Sequence, residues 1–537
     1  MDGLAMNPTN LFQRYKTLPV LLLILVNVII GLRTFRDYGL SIDEPLFYGY
    51  ADAIGYAYNP VNWFSGHFDL EANAYGPSPW DHRNRGPAYL LLTRGPVHLL
   101  QSMGVDQASA WHLVNFLAFQ VAVYFFYVLA RRWMGQWPAL FATAFFSSQP
   151  VLWEHAFINP KDPSFLLFFL LSLEFGLRMA DHLANASADE KPLQTLKHIL
   201  FPAILLGLTT SIRILGPLAA ALAGLYFLLL KKPKRIWWFV PYGLIAILTM
   251  FASWPYLWEN PIQNFLGTLT FMADNPTTLR VLFYGQLYRA DQLPLRYLPA
   301  MMLFTLTEPV WPLAALGLII AVFRIRKQNL EWKSFLVTFL WLAAPMIYVL
   351  WKKPPMYDGF RHFMFIVPPL FILAGLGVEW LFAKFRLVWL NVLLALALLA
   401  PALFADVRLH PYQYTYYNQF VGGTGQAAYQ FETDYWLTCY KDAILVLNKS
   451  QQTDITVFAR RDARTAQYYA RTGIIVIDGS DRLRSPDFGD YLLQGARADP
   501  NIQKYRGTRE FLAIHRDDAV FCILLKYTSK TQNENTP

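Results

Sequence analysis

Charge is scarce in this chain. Only 15% of its 537 residues are Asp, Glu, Lys or Arg, against roughly 25% in an ordinary soluble domain. That shortage excludes a string of roughly three or four soluble domains, which the length alone would allow. Cysteine is scarcer still, at two residues. Two cysteines rule out a disulfide-dense scaffold, and their spacing fits no metal-ligand motif. No dedicated metal motif occurs elsewhere, so the cofactor stays unassigned, with a divalent metal among the options. There is no internal repeat and no long low-complexity tract. The first apolar run, near 18–32, lacks a convincing small-residue cleavage site and reads as a retained signal anchor.

What the chain has in abundance is apolar surface. Hydrophobic residues make up 55% and aromatics 16%, with 17 Trp and 30 Tyr. The apolar residues come in long runs and not in amphipathic stripes. A helix needs about 20 such residues to cross a bilayer. Spans are expected at 17–35, 108–130, 138–152, 164–180, 198–213, 215–230, 236–253, 299–322, 334–351, 363–382 and 386–404. This predicts a polytopic α-helical membrane protein with about eleven crossings.

The net charge of +9 could suggest a nucleic-acid partner. The basic residues instead cluster in short loops between apolar runs. With the N-terminus inside, those loops carry Arg14 and Lys16, Arg131 and Arg132, and Lys191 and Lys197. The same side carries Lys231, Lys232, Lys234 and Arg235, then Arg324, Arg326 and Lys327, then Lys384 and Arg386. The positive-inside rule explains this alternation. Membrane lipids are expected as partners and nucleic acid is not. An odd number of spans puts the C-terminal region outside.

The chain divides at about residue 405. Residues 1–404 read as a membrane module with a long first outer loop, about 36–107. Residues 405–537 read as a small extracytoplasmic α/β domain. Within it, Asp454–Ala459 and Gly473–Asp478 are expected strands, Arg461–Ala470 a helix, and Ala519–Tyr527 a late strand. Cys439 and Cys522 both fall in this domain, as a bridged pair or as two buried thiols.

The outer loops hold the residues suited to chemistry. Asp43 and Glu44 directly follow the first span, where a buried acidic pair is expensive unless it serves a site. They equally suit the start of a helix, with Pro45 behind them. Lys161 and Asp162 stand at the mouth of another span, and Asp162-Pro163 is also a good helix start. Arg213, Arg361 and His362, with Lys352 and Lys353, are outer cations that the positive-inside rule does not predict. Snorkelling accounts for the two lysines. Arg213 and Arg361 each sit between apolar segments, where a cation normally meets an anion. A carboxylate that takes a proton from a hydroxyl, beside cations that hold a phosphate, makes a transferase site.

These residues occur in a telling order. Asp43-Glu44 follows span one, and Lys161-Asp162 lies in the second outer loop. A glycine-flanked turn runs from Gly207 through Arg213 to Gly216, and Arg361 through Pro368-Pro369 opens a late span. In this order the chain resembles the GT-C-fold polyprenyl-phosphate-sugar glycosyltransferases. Within them it is most similar to bacterial relatives of protein O-mannosyltransferases and lipid A aminoarabinose transferases. The resemblance implies an inverting transferase in a bacterial inner membrane. It implies a polyprenyl-phosphate-linked sugar as donor and a lipid, glycan or protein hydroxyl as acceptor. It assigns Asp43, beside Glu44, as base, and Lys161, Asp162, Arg213, Arg361 and His362 to substrate binding. The segment from His410-Pro411-Tyr412 to Asp434-Tyr435-Trp436 departs from the general pattern. It suits either a packed aromatic collar or an acceptor groove. The rival reading of the whole chain is a transporter or flippase. Such proteins often show repeated halves and helices broken at mid-membrane, and neither is evident here.

Overall fold

A computed structural model of the chain describes residues 17–528, apart from 188, 274–276, 329, 386, 480–489 and 498–506. Arg14, Lys16 and Arg386 lie outside the described residues, as does the Lys234 side chain. Helices of nine residues or more are numbered here in chain order. The first eight are α1 (Leu18–Thr34), α2 (Glu44–Ala53), α3 (Ala88–Ser102), α4 (Gln107–Ala130), α5 (Gln136–Ser147), α6 (Pro150–Ile158), α7 (Asp162–Asn185) and α8 (Pro192–Ile212). Then come α9 (Pro217–Leu229), α10 (Phe239–Ala252), α11 (Pro261–Ala273), α12 (Tyr297–Thr305), α13 (Val310–Arg326) and α14 (Trp332–Lys352). Last are α15 (Pro368–Lys384), α16 (Val388–Leu409) and α17 (Tyr440–Asn448).

Among the described residues, six helices are long and apolar enough to cross a membrane. They are α4, α7, α8, α10 with the turn before it, α14 and α16. The bent pair α12–α13 makes a seventh if counted as one span, and α1 and α9 are shorter apolar helices. Only 11% of the apolar stretch is buried in each of α10 and α16. Their outward faces carry Leu244, Ile247, Leu393 and Phe404, all exposed. Exposed apolar side chains over that length need lipid as their solvent. The chain is an integral membrane protein.

Two expected spans are broken. The run 138–152 splits at Ser148-Gln149, because Pro150 opens α6 and cannot continue α5. The run 299–322 splits before Pro309, and α12 meets α13 at 107°. Broken helices leave unpaired backbone groups that lipid cannot satisfy. Here the two breaks satisfy each other. Thr307 N donates to Gln149 Oε1 at 2.9 Å, and Gln149 Nε2 donates to Thr307 Oγ1 at 3.1 Å. A third expected span, 363–382, opens with a 3-10 turn over Arg361–Ile366 before α15 begins at Pro368. Each place carries polar residues, Ser148-Gln149, Thr307-Glu308 and Arg361-His362, inside or at the edge of an apolar run.

The C-terminal region contains a five-stranded sheet in the order β4-β3-β5-β7-β6. Its strands are β3 (Ile455–Ala459), β4 (Ile474–Asp478), β5 (Tyr491–Gly495), β6 (Thr508–Arg516) and β7 (Ala519–Tyr527). Strand β3 pairs in parallel with β4 and β5, with Val457 opposite both Val476 and Tyr491. Strand β7 runs antiparallel to β5 and β6. A separate hairpin, β1 (Arg280–Phe283) with β2 (Gln286–Arg289), has no counterpart in the expected elements. Strands β3, β4 and β7 and the short helix Ala463–Tyr469 fall where the pattern put them.

Cys439 and Cys522 form a disulfide, with 6.1 Å between their Cα atoms. It ties the residue before α17 to the middle of β7. Closing a loop of that length removes denatured-state entropy, for about 2–4 kcal/mol of stabilisation. Peptide mapping under non-reducing conditions is expected to yield one linked Cys439–Cys522 peptide. Cys522→Ser is expected to lower the melting temperature of the purified protein.

Candidate functional site

Helix α2 begins immediately after Asp43, because Glu44-Pro45 suits a first helical turn. The Asp43 carboxylate does not cap that helix: it makes no side-chain bond to the first turn. It stays 30% exposed, and its Oδ2 lies 3.7 Å from Arg361 Nη2. It lines a cavity of about 430 Å³, together with Tyr357, Asp358, Arg361, Tyr435, Arg461 and Arg497.

Glu44 points elsewhere. It is fully buried and accepts from Ser41 N at 2.7 Å and from Tyr48 OH at 2.6 Å. His112 Nε2 of α4 lies 3.0 Å from its Oε1. Glu44 therefore fastens α2 to α4 and lines neither cavity described here.

Arg361 is held by carboxylates. Its Nε and Nη2 donate to Asp358 Oδ2 at 3.1 and 2.8 Å, and its Nη1 donates to Asp162 Oδ2 at 3.1 Å. Its guanidinium also lies over Trp436, 4.8 Å from the ring centroid. The turn that aims it is left-handed at Asp358 (φ 57°) and Gly359 (φ 68°). A non-glycine residue in that region costs about 1–3 kcal/mol. Asp358 offsets the cost by bonding Arg361 and also Arg497 Nη2, at 2.5 Å, from the end of β5.

Asp162 is 2% exposed and lines neither cavity. It pairs with Arg213 and Arg361, and its Oδ2 accepts from Asn159 Nδ2 at 2.9 Å. Asp162 thus sets the positions of two cations and does not face open space itself.

A second cavity, of about 410 Å³, is lined by Arg85, Lys161, Arg213 and His362. Its other walls are largely apolar, among them Leu215, Leu218, Leu269, Met272 and Trp254. Tyr357 lines both cavities. Arg213 ends α8, donates to His362 O at 3.4 Å and sits 5.7 Å over the Phe165 ring. Arg85 comes from the long first loop, where Asp81 accepts from its Nε at 2.8 Å. The loop reaches α8 because Gly86 packs onto Ser211, where any Cβ would strike the Ser211 carbonyl.

Lys161 is half-buried, and among the described residues no carboxylate lies within ion-pair reach of its ammonium. Burial, and then the guanidiniums of Arg85, Arg213 and Arg361, push its pKa well below the ordinary lysine value. Burial and the same cations hold His362 well below the ordinary imidazole value. Arg85 and Arg213 have carboxylate partners; Lys161, crowded by them without an anion of its own, is the costly cation, and an added anion relieves that cost.

Sequence reasoning missed Arg85. Its signal was weak: one more outer cation in a long loop, where a solvated surface residue is the simplest reading. The aromatic segment is buried, as a collar would be. Tyr435 OH lies 2.8 Å from His155 Nε2, and Tyr414 OH donates to Asp434 at 2.5 Å. Tyr435 nevertheless also lines the Asp43 cavity, so one element packs the interface and walls the open space.

Neither a family model nor a curated protein matches this sequence. Solved structures do match its fold. The oligosaccharyltransferase of Archaeoglobus fulgidus, in its apo form, aligns with a TM-score of 0.50 at 13% identity, over 81% of this chain and 58% of that one. The chain has the GT-C fold. It spans little more than half the length of that enzyme. ArnT from Cupriavidus metallidurans aligns at a TM-score of 0.49 and 13% identity in the apo state, over 95% of this chain and 97% of that one. The same protein bound to undecaprenyl phosphate aligns at 0.49 and 15% identity, over 94% and 97%.

The roles of Glu44 and Asp43 separate experimentally. Glu44→Gln is expected to cost about 1–3 kcal/mol by disrupting a buried hydrogen-bond set, read as a lower melting temperature. Asp43→Asn, half-exposed and outside that set, is expected to melt within about 0.5 kcal/mol of wild type.

Proposed function

We propose that the chain is a membrane glycosyltransferase that moves a sugar from a polyprenyl-phosphate carrier to a hydroxyl acceptor on the extracytoplasmic side. The observation that carries this reading is a juxtaposition. A cation-lined apolar groove and a cavity bearing a half-exposed carboxylate share Tyr357 and flank Arg361 and His362. An isoprenoid chain suits the apolar walls. Its phosphate suits Arg85, Lys161 and Arg213. The matched solved structure of this fold is named an oligosaccharyltransferase, which agrees in kind, although a fold alone does not set chemistry.

In this reading Asp43 accepts the proton of the acceptor hydroxyl as its oxygen bonds to the sugar carbon. The bond from that carbon to the phosphate oxygen breaks in the same displacement, which inverts the carbon. The carrier phosphate leaves with one more negative charge, which the groove cations stabilise. Arg361 acts as a positioning residue, because its donors are occupied by Asp358 and Asp162. The same reading places about eleven crossings, a cytoplasmic N-terminus, and an outer domain from about residue 405.

Asp43→Asn is expected to lower transfer by about 10²–10⁴-fold, measured with defined donor and acceptor in detergent, while undecaprenyl phosphate still binds. Transfer at the wild-type rate would remove Asp43 as the base.

Binding should depend on pH through Lys161. Its pKa in the free protein is depressed, and a bound phosphate favours the ammonium form. Below that depressed pKa the lysine is already charged and affinity is full. As pH rises through it, binding must also take up a proton, so affinity falls. Undecaprenyl phosphate titrations across a pH series are expected to show this decline. Lys161→Arg, always charged, should flatten it. A decline that persists unchanged in Lys161→Arg would assign the titration to another group.

A further inference from the structure

The loop between α7 and α8 gathers three ligand-type side chains at the end of α7 remote from Asp162. His182 lies twenty residues along α7, about 30 Å away at roughly 1.5 Å per residue. Glu190 sits in the loop, and His198 lies in the second turn of α8. The two imidazoles stack with centroids 3.7 Å apart and 24° between planes. His182 Nε2 lies 2.9 Å from Glu190 Oε1. One ligand atom from each of the three lies within 4.8 Å of the others, beside a cavity that Asp189 and Lys197 also line.

The geometry points to a divalent transition-metal site here, holding Zn²⁺ through His182, Glu190 and His198. Two imidazole nitrogens and one carboxylate oxygen are a zinc donor set, with water free to complete a tetrahedron. Bonds of about 2.0–2.1 Å put tetrahedral ligand atoms about 3.3 Å apart. His198 is the exposed member of the three, so its side chain is the one with room to turn toward that spacing. Mg²⁺ and Ca²⁺ take several oxygen ligands, which this set does not offer. Asp181 is not a ligand, because Arg132 and Tyr226 bond it at 3.0 and 2.8 Å. Arg235 lies 3.5 Å from Glu190 Oε2, so it supports the carboxylate from behind while Oε1 faces the imidazoles. Lys197 is the opposing cation at the cavity wall.

Such an ion would clip α7 to α8. The opposite ends of those two helices carry Lys161 with Asp162, and Arg213. The site owes nothing to the proposed transfer reaction, and its test does not use activity.

The test uses the full chain, purified without a histidine tag, stripped with chelator and titrated with ZnCl₂ against a chromophoric chelator. One Zn²⁺ per chain is expected, with affinity reduced at least about tenfold in His198→Ala and binding lost in His182→Ala with His198→Ala. Zn²⁺ should raise the melting temperature of wild type but not of His198→Ala. Excess Mg²⁺ should not compete. Absence of a stoichiometric wild-type site at micromolar Zn²⁺ would overturn the proposal, and so would unchanged binding in His198→Ala. Competition by Mg²⁺ would overturn the choice of ion. His198 is exposed, so its alanine variant decides the matter even if the double variant misfolds.

Discussion

One buried carboxylate organises the end of the bundle that holds both cavities. Asp162 opens α7, where the helix N-terminus already favours negative charge. It meets Arg213 from the end of α8 and Arg361 from the turn before α15. Three chain segments, far apart in sequence, are therefore fixed to one point. Asn159 prepares that point: its Oδ1 accepts from both Lys161 N, at 3.1 Å, and Asp162 N, at 3.0 Å. Ions this deeply buried lose much hydration, and their mutual attraction repays it only with good geometry. Removing the carboxylate would leave two buried guanidiniums short of an anion, a change that costs about 3–5 kcal/mol in comparable pairs.

The hub depends on helices that break within their apolar runs. A continuous α5–α6 would carry Asn159 and Asp162 along a single axis. The break at Gln149 redirects the chain so that α6 delivers the Asn159–Asp162 turn. The break at Thr307 turns the chain by 107° between α12 and α13. Each break would be prohibitive in lipid by itself. Paired through Gln149 and Thr307, the two become mutually satisfied in the interior. Lipid-facing helices such as α10 and α16 remain unbroken, as they must where no protein partner can reach their backbone.

This division explains what was legible in the sequence. The apolar runs, the acidic and basic residues at the outer ends, and strands β3, β4 and β7 follow from hydropathy, charge placement and alternation. The interruptions are marked locally by Pro150 and Pro309, but what satisfies them, Gln149 paired with Thr307 across 158 positions, is not. Glu44 looked like a partner of Asp43 because the two are adjacent. Its actual partner, His112, stands in α4, and nothing local signals that contact. Arg85 was hidden for the opposite reason: an exposed-looking loop reaches the site through the Gly86–Ser211 contact. Strand β6 was missed because none of its residues is fully buried and its partly buried ones do not alternate, so it lacks the pattern that marks a half-buried strand.

The structure also sorts cations that look alike in sequence. Arg361 bonds Asp358 and Asp162 and stands 3.7 Å from Asp43. At that distance it attracts the carboxylate without hydrogen-bonding it. The charge of Arg361 therefore helps fix where the Asp43 carboxylate sits. Arg361 cannot offer a phosphate the two parallel donors of a bidentate grip without releasing an acid. Lys161 is in the opposite condition, crowded by cations and lacking an anion among the described residues. One end of the bundle thus separates an arginine paired with two carboxylates from a lysine with no carboxylate in ion-pair reach among the described residues. A displacement reaction between a hydroxyl and a phosphate-linked carbon needs both conditions, side by side and electrostatically distinct.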